Sequence, residues 1–381
     1  MPGRTGLKWV LVLVVSVLSL MAVLNFGVAW YYSGVLNDLA LKVGEEEVEY
    51  NLTASAVGDG LVRLERGPDG GEWRLRGKWG LGWDGGRGMI GDIVEEGDGF
   101  LVRRFTMAEG EPPRSAPAFV SADIYPNDPL LAYGIEYENV EYEAPLGRQD
   151  AWRFEGDDDT WAVFVHGLRG APGDGLSSLP VLHDLGVPAL FIAYRNDEGQ
   201  PRDPSGIHQY GLTEWRDLHA AVEYALSQPG ARDVVLIGHS MGGGIAAKFL
   251  YESSLAGSVT GVVMDSPAMD FEAPVDLGAR DRNLPGFVAA TVKWIATLRF
   301  GVDWDAMDYL KDAHRLNVPI LLIHGEDDGR VPIETSDKLA ELRPDLVTYS
   351  VYPDTTHADA WNVDSERYER ELREFLLRVI Q

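Results

Sequence analysis

Gly238-His239-Ser240-Met241-Gly242 stands directly after the apolar run Val234-Val235-Leu236-Ile237 and directly before the helix-forming segment Ile245-Ala246-Ala247-Lys248-Phe249-Leu250. The pattern Gly-x-Ser-x-Gly between a strand and a helix predicts a sharp turn that holds its central residue in a strained backbone conformation. Small neighbours at Gly238, Gly242 and Gly243 then let strand and helix approach. Such a turn pushes the serine oxygen into the open. The helix behind it aims its first unpaired N–H groups and its positive dipole end at the same point, which favours negative charge developing there. A bare five-residue pattern also arises by chance in glycine-rich turns. The flanking strand and helix are what make Ser240 a candidate nucleophile.

A serine hydroxyl is a poor nucleophile at neutral pH, so it needs a histidine base, a carboxylate to fix that base, and N–H donors for an oxyanion. Downstream, the run Ile320-Leu321-Leu322-Ile323 ends in His324-Gly325-Glu326-Asp327-Asp328-Gly329-Arg330-Val331-Pro332, which puts acids in the loop past a strand's C-terminal end. That is the edge of a parallel sheet where sites form. The run from Val347 to Tyr352 is followed by Pro353-Asp354-Thr355-Thr356-His357, and His357 is the only histidine beyond those acids. The chain order is therefore serine, aspartate, histidine. Position alone leaves Asp327 and Asp328 both open. The seven other histidines (His166, His183, His208, His219, His239, His314 and His324) lie in turns, helices or the variable elbow position and read as structural. Upstream, Trp161 to Val165 runs into His166-Gly167-Leu168-Arg169-Gly170, whose Leu168 N–H is a candidate to share an oxyanion with the N–H of Met241.

Around these motifs the pattern is that of an α/β domain. Buried-strand runs at 161–165, 189–192, 234–237, 261–264, 320–323 and 347–351 alternate with helical stretches. One stretch puts Trp215, Leu218, Val222 and Ala225 on a single face, opened by Thr213 and stopped by Pro229-Gly230. Another puts Tyr368, Leu372, Phe375, Leu376 and Val379 on a face behind Asp364. Alternation implies a mostly parallel sheet flanked by helices. Val140-Glu141-Tyr142 and Ala151 to Phe154 read as a hairpin that opens the domain.

The 381 residues exceed one typical domain, and with 45% hydrophobic and 24% charged residues there is ample material for a core. A net charge of −27 repels phosphate backbones, which excludes a nucleic-acid partner. There is no cysteine, so disulfides, thiolate metal sites and cysteine nucleophiles are excluded.

The N-terminal third divides differently. From Trp9 to Asn37 no residue is charged, and Val10 to Leu24 is almost continuously apolar, so residues 9–32 read as a transmembrane anchor. Arg4 and Lys8 precede it, Asp38 and Glu45-Glu46-Glu47 follow, and Trp30-Tyr31-Tyr32 suits an interfacial belt. The charge bias puts the N-terminus in the cytoplasm and the body of the protein outside it. A cleaved signal peptide is the rival reading, but no small-x-small cleavage site stands out at the end of the run. Residues 45–135 turn to Gly, Trp and short alternating runs, a strand-rich module of open role. Gly86-Arg87-Gly88-Met89-Ile90-Gly91 has the spacing of a dinucleotide loop but opens no helix, and is set aside. The Pro-rich stretch from Glu111 to Pro129 reads as a loop at a module boundary.

Taken together, the His166–Gly170 turn, the elbow, Asp265-Ser266-Pro267, the loop from His324 to Pro332 and His357 make residues 136–381 resemble the α/β-hydrolase superfamily. The likeness is to its membrane-anchored, lysophospholipase-like and serine-aminopeptidase-like branches. The resemblance implies a catalytic triad Ser240, Asp328 and His357, with Met241 and Leu168 as oxyanion donors and no cofactor or metal. In relatives the acid loop reads His-Gly-x-x-Asp-x-x-Val-Pro, which selects Asp328 over Asp327, and Asp265 is the fallback because some relatives carry the acid there. A serine at the elbow argues against haloalkane dehalogenase and epoxide hydrolase chemistry. Residues 268–315, with Phe271, Leu284, Phe287, Trp294, Ile295, Phe300 and Trp304, read either as a lid over an acyl pocket or as a helix packing on the domain. The expected activity is carboxylic ester hydrolysis on a small-molecule or lipid-like substrate. Thioester or peptide cleavage uses the same residues, and a non-catalytic binding protein on this fold is the other class.

Overall fold

A computed structural model describes residues 4–44, 48–67, 73–124 and 128–380. The acidic run Glu45-Glu46-Glu47 and the Arg4 side chain, both used above to orient the anchor, lie outside the described residues and side chains.

The chain opens with helix α1 (Arg4–Leu36), continued by one wide turn at Asn37–Leu41. Among the described residues it is the one helix long and apolar enough to cross a membrane, and its most apolar stretch is wholly exposed.

Six strands then close into an antiparallel barrel in the order β1-β2-β5-β4-β3-β6. They are β1 (Leu52–Gly58), β2 (Leu61–Arg66), β3 (Trp79–Trp83), β4 (Gly86–Gly97), β5 (Phe100–Gly110) and β6 (Arg114–Ser121). Alternation sends Leu52, Ala54, Val62, Leu64, Leu81, Ile90 and Leu101 inside, where they fill the barrel as a packed core. The Gly86–Gly91 run lies along β4, which cannot cradle a pyrophosphate. β6 corrects the loop expected from Glu111 onward. Pro117 pairs with Thr53 beside a register shift in β1, and Ser115 takes φ 54°, the kind of irregularity at which a strand tolerates proline.

The rest of the chain forms an eight-stranded sheet in the order β14-β13-β12-β11-β9-β10-β8-β7. The expected hairpin is β7 (Glu138–Ala144) with β8 (Gly147–Phe154), antiparallel at one edge. β9 (Thr160–Val165), β10 (Ala189–Ile192), β11 (Asp233–His239), β12 (Val259–Asp265), β13 (Ile320–Gly325) and β14 (Val347–Tyr352) are parallel. The helices after α1 are α2 (Pro129–Tyr133), α3 (Leu179–Asp184), α4 (Trp215–Leu226), α5 (Met241–Glu252), α6 (Glu272–Asp281), α7 (Gly286–Phe300), α8 (Glu334–Leu342), α9 (Ala360–Val363) and α10 (Ser365–Val379).

Alternate strand residues face opposite layers. Val163, Leu236, Val262 and Leu322 pack with α4 and α5, whereas Phe164, Ile237, Val263 and Leu321 pack with α3 and α10. On α10, Tyr368, Leu372, Phe375, Leu376 and Val379 are all buried, each contributing about 1.5–3 kcal/mol of transfer free energy. Asp364 caps that helix by accepting from Arg367 N–H at 3.0 Å. Thr213 does not cap α4. Its hydroxyl donates instead to Asp203 at 2.8 Å, in the cluster where buried Arg195 bonds Asp203 and Asp217.

The barrel touches the sheet domain at one junction. Asn362 on α9 donates to the carbonyls of Lys78 and Ala122, and Lys78 N–H donates back to Asn362 O at 2.8 Å.

Candidate active site

The strand-to-helix turn has the expected strain. Ser240 sits at φ 51°, ψ −116° between β11 and α5, a region that residues with a Cβ seldom occupy. A Cβ on Gly238 would lie 2.7 Å from Gly242 C, one on Gly242 2.1 Å from Val165 O, and one on Gly243 2.5 Å from Pro267 Cβ. Glycine at these positions is what lets α5 begin against the ends of β9 and β11.

The C-terminal ends of β11, β13 and β14 bring three side chains together. His357 Nε2 is 2.8 Å from Ser240 Oγ, and His357 Nδ1 is 2.7 Å from Asp328 Oδ2. With Nδ1–H donating to the carboxylate, Nε2 is left to accept the serine hydroxyl hydrogen. The loop that carries His357 is fastened on both sides. Ala358 N–H donates to Ser266 Oγ at 3.1 Å, and Gly325 lets the loop cross, since a Cβ there would meet Thr355 O at 2.3 Å.

Asp328 is buried and fully engaged. Its Oδ1 accepts from the N–H groups of Arg330 and Val331, both at 2.8 Å, and its Oδ2 lies 3.1 Å from His324 Nε2 besides His357. Burial by itself would raise this carboxyl. The hydrogen bonds from His324, His357 and Val331 outweigh it and hold Asp328 well below the usual carboxylate range. Asp327 is exposed, so the structure brings its neighbour, not it, to the histidine. The fallback Asp265 bonds Ser266 at 3.3 Å, and burial pushes its carboxyl up to about 7. His324, read above as a turn residue, is instead a fully buried prop of Asp328, held on its other side by Ser336 Oγ at 2.7 Å.

The His166–Gly170 turn passes close over the serine. A Cβ on Gly167 would lie 3.0 Å from Ser240 Cβ, so Leu168 follows directly beside the nucleophile position. Met241 is the first residue of α5, where an N–H has no partner within the helix. His166 holds the turn from below, with Nε2 2.8 Å from Asp197 Oδ2 and its ring stacked on Tyr194.

A cavity of about 630 Å³ opens from Ser240, His239 and His357. Residues 268–315 cover it as two helices, α6 and α7, with Phe271, Val275, Leu284 and Val292 on its wall. Phe287, Trp294 and Phe300, counted above with this insertion, are absent from that wall. Asp123 and Asp174 line the cavity too. Burial raises both, Asp174 to about 7, with the Asp123 charge adding to it. Among the described residues no cluster of His, Asp or Glu could hold a metal ion.

One contribution was not visible in the chain order: Tyr32, Leu36 and Leu39 of the N-terminal helical segment also line the cavity. Arg169, two residues from the serine-facing Gly167, clamps that segment by donating to the carbonyls of Asp38 and Lys42. The one sequence signal was the placement of arginine in that turn, whose partner lies 131 residues away.

Comparison with known proteins bears on the fold. A family model described as the alpha/beta hydrolase fold matches residues 196–307. The human protein ABHD12B is 30% identical over 190 residues, covering 47% of this chain and 49% of the relative. The zebrafish (Danio rerio) lysophosphatidylserine lipase ABHD12 is 24% identical over 191 residues, covering 47% and 46%. The chain thus spans about half the length of these two relatives. Among solved structures, the Pyrococcus furiosus esterase Pf2001 superposes with a TM-score of 0.53 at 21% identity, over 66% of this chain and 94% of that one. The strained serine turn, the parallel sheet that carries it and these likenesses together give the chain the α/β-hydrolase fold.

Proposed function

We propose that this protein is a membrane-anchored serine hydrolase that cleaves carboxylic esters through an acyl-enzyme. The observation that carries the reading is the continuous hydrogen-bond relay from Ser240 Oγ through His357 to Asp328, at 2.8 and 2.7 Å. In the proposed reaction Ser240 Oγ attacks the ester carbonyl carbon while His357 Nε2 takes its proton. Asp328 holds the imidazole and stabilises the cation that forms. The N–H groups of Leu168 and Met241 bind the oxyanion. Collapse expels the alcohol with the proton from His357, and a water activated by the same nitrogen releases the acid. The apolar wall of Phe271, Val275 and Val292 favours an acyl chain over a peptide. A lipid-like ester also suits the relative named a lysophosphatidylserine lipase.

The test is covalent labelling by a fluorophosphonate, followed by hydrolysis rates across esters of graded acyl length. Labelling that survives Ser240→Ala would move the nucleophile elsewhere, and its absence from the wild-type protein overturns the reading in favour of a binding protein. For topology, Lys8 before the apolar run and acids after it favour a cytoplasmic N-terminus. Protease added outside intact cells should release a hydrolase-sized fragment, and full protection until lysis would reverse the orientation.

A further inference from the structure

Two apolar surfaces that the proposed chemistry does not use run together on the outside of the molecule. One is the outer face of α1, exposed from Trp9 through Tyr31. The other is on α7, which buries Val288, Val292 and Ile295 against α1 and the core yet leaves Phe287, Trp294 and Leu298 64, 57 and 65% exposed. Positions separated by 7 and 11 residues fall on one helical face, so these three form a stripe. Single exposed apolar residues are common on soluble surfaces. A stripe continuous with a helix of bilayer length is a patch that calls for cover.

The register between the helices says what covers it. Asn25 Nδ2 donates to Thr291 Oγ1 at 2.9 Å, and eight residues further along both helices Arg299 Nη1 donates to Ser33 Oγ at 2.7 Å. The helices are therefore parallel, and the first half of α7 stands beside Leu20 to Gly27 of α1, within the apolar run, while its last turn stands beside the aromatic residues Trp30 to Tyr32. The tip of the α6–α7 hairpin carries Arg280, Asp281 and Arg282, all exposed, and long arginine side chains can extend along apolar surface to reach phosphate. The cavity that starts at Ser240 is walled by Tyr32, Leu36 and Leu39 on the α1 side and by Leu284 and Val292 on the hairpin side.

Resting on the ester-hydrolase reading above, we propose that α7 and the end of α1 form one bilayer-contacting surface, and that the substrate is a membrane-resident acyl ester drawn from that leaflet between them. The anchor is then part of the binding site, and the bilayer is the occupant of the stripe.

The chain has no cysteine, so single cysteines can carry a fluorophore at chosen points. Phe287→Cys reports on the stripe. Leu377→Cys, on the exposed side of α10, reports from the opposite edge of the sheet, because Gly261 early in β12 lies against Phe375 and Val379. In phosphatidylcholine–phosphatidylglycerol nanodiscs the label at 287 should be quenched by nitroxide-bearing lipids and shielded from aqueous iodide, and the label at 377 should behave the opposite way. Equal access of iodide to both labels overturns the proposal. In the same nanodiscs a Phe287→Ser/Trp294→Ser variant should keep wild-type turnover of soluble p-nitrophenyl butyrate and lose about tenfold on a long-chain monoacylglycerol. Equal retention on both substrates overturns the entry route. A wild-type protein inert to the butyrate ester would overturn the hydrolase reading instead, while the quenching result still decides the membrane surface.

Discussion

The eight-stranded sheet and the six-stranded barrel use their strands for opposite ends. In the parallel sheet both faces are covered by helices, so the central strands carry long apolar runs and their C-terminal ends are the free places where loops meet. Ser240, Asp328 and His357 all stand there. The barrel turns its apolar side chains inward and fills itself with them. It approaches the candidate site through the bonds that Asn362, five residues past His357, donates to the carbonyls of Lys78 and Ala122, and through Arg76, which pairs with Asp354 in the His357 loop at 3.3 Å. The difference teaches that in this molecule the candidate chemistry gathers at strand ends, while the barrel presents its packed wall and its junction with α9.

The sharpest way to break that division is at the sheet edge. Ser240→Ala, His357→Ala and the double variant should have nearly equal residual rates on an activated ester, each down by on the order of a million-fold, because the two groups act as a unit. Additive losses would show that His357 is not the base. Next in size, Asp328→Asn should lower turnover by on the order of ten-thousand-fold, while exposed Asp327→Asn changes it little. The reverse ranking in folded proteins would mean that the loop register is misassigned.

The barrel's share is expected to be smaller. Asn362→Ala removes two hydrogen bonds at the junction and should reduce kcat by about ten- to a hundred-fold through displacement of the His357 loop, with KM nearly unchanged. A loss equal to that of the triad variants would place the barrel inside the chemistry and erase the distinction.

The smallest effect is electrostatic. Burial raises Asp265 to about 7, whereas an unfolded aspartate titrates near about 3.9. The folded protein holds this proton more tightly, so the stability it contributes is complete below the unfolded value and is lost as pH rises toward 7. The slope is at most about 1.4 kcal/mol per pH unit for one proton. Asp265→Asn should flatten unfolding free energy between pH 4.5 and 7 while sparing activity. An unchanged slope would show that another buried carboxyl, such as Asp174, carries the effect.

The sheet was legible in the sequence because continuous apolar runs and glycine-bounded turns are local signals. Every parallel strand appeared as such a run, and α7 falls within the aromatic-rich insertion 268–315 that reads as a lid or a packed helix. The elbow was legible for the same reason, since strain at Ser240 needs glycine within two or three residues. What could not be read were pairings across distance. β6 was hidden by prolines that a bulge accommodates, and His324 looked like a turn residue because Ser336 and Asp328 reveal its role only when folded. Nor does anything near Tyr32 announce that it faces a serine some two hundred positions later. Thr213 shows the converse error, in which a residue with capping chemistry found a stronger partner in Asp203.

The bond between Asn25 and Thr291 joins segments 266 residues apart. Contacts this remote in sequence form late, after the entropy of closing the intervening chain has been offset by the sheet and its helices. During synthesis α1 therefore emerges first and waits, its inner face uncovered, until α7 arrives. Maturation of this protein is a closing of a loop whose two ends share one surface, and a chain halted before Gly286 would hold a complete serine turn but lack one wall of the cavity around it.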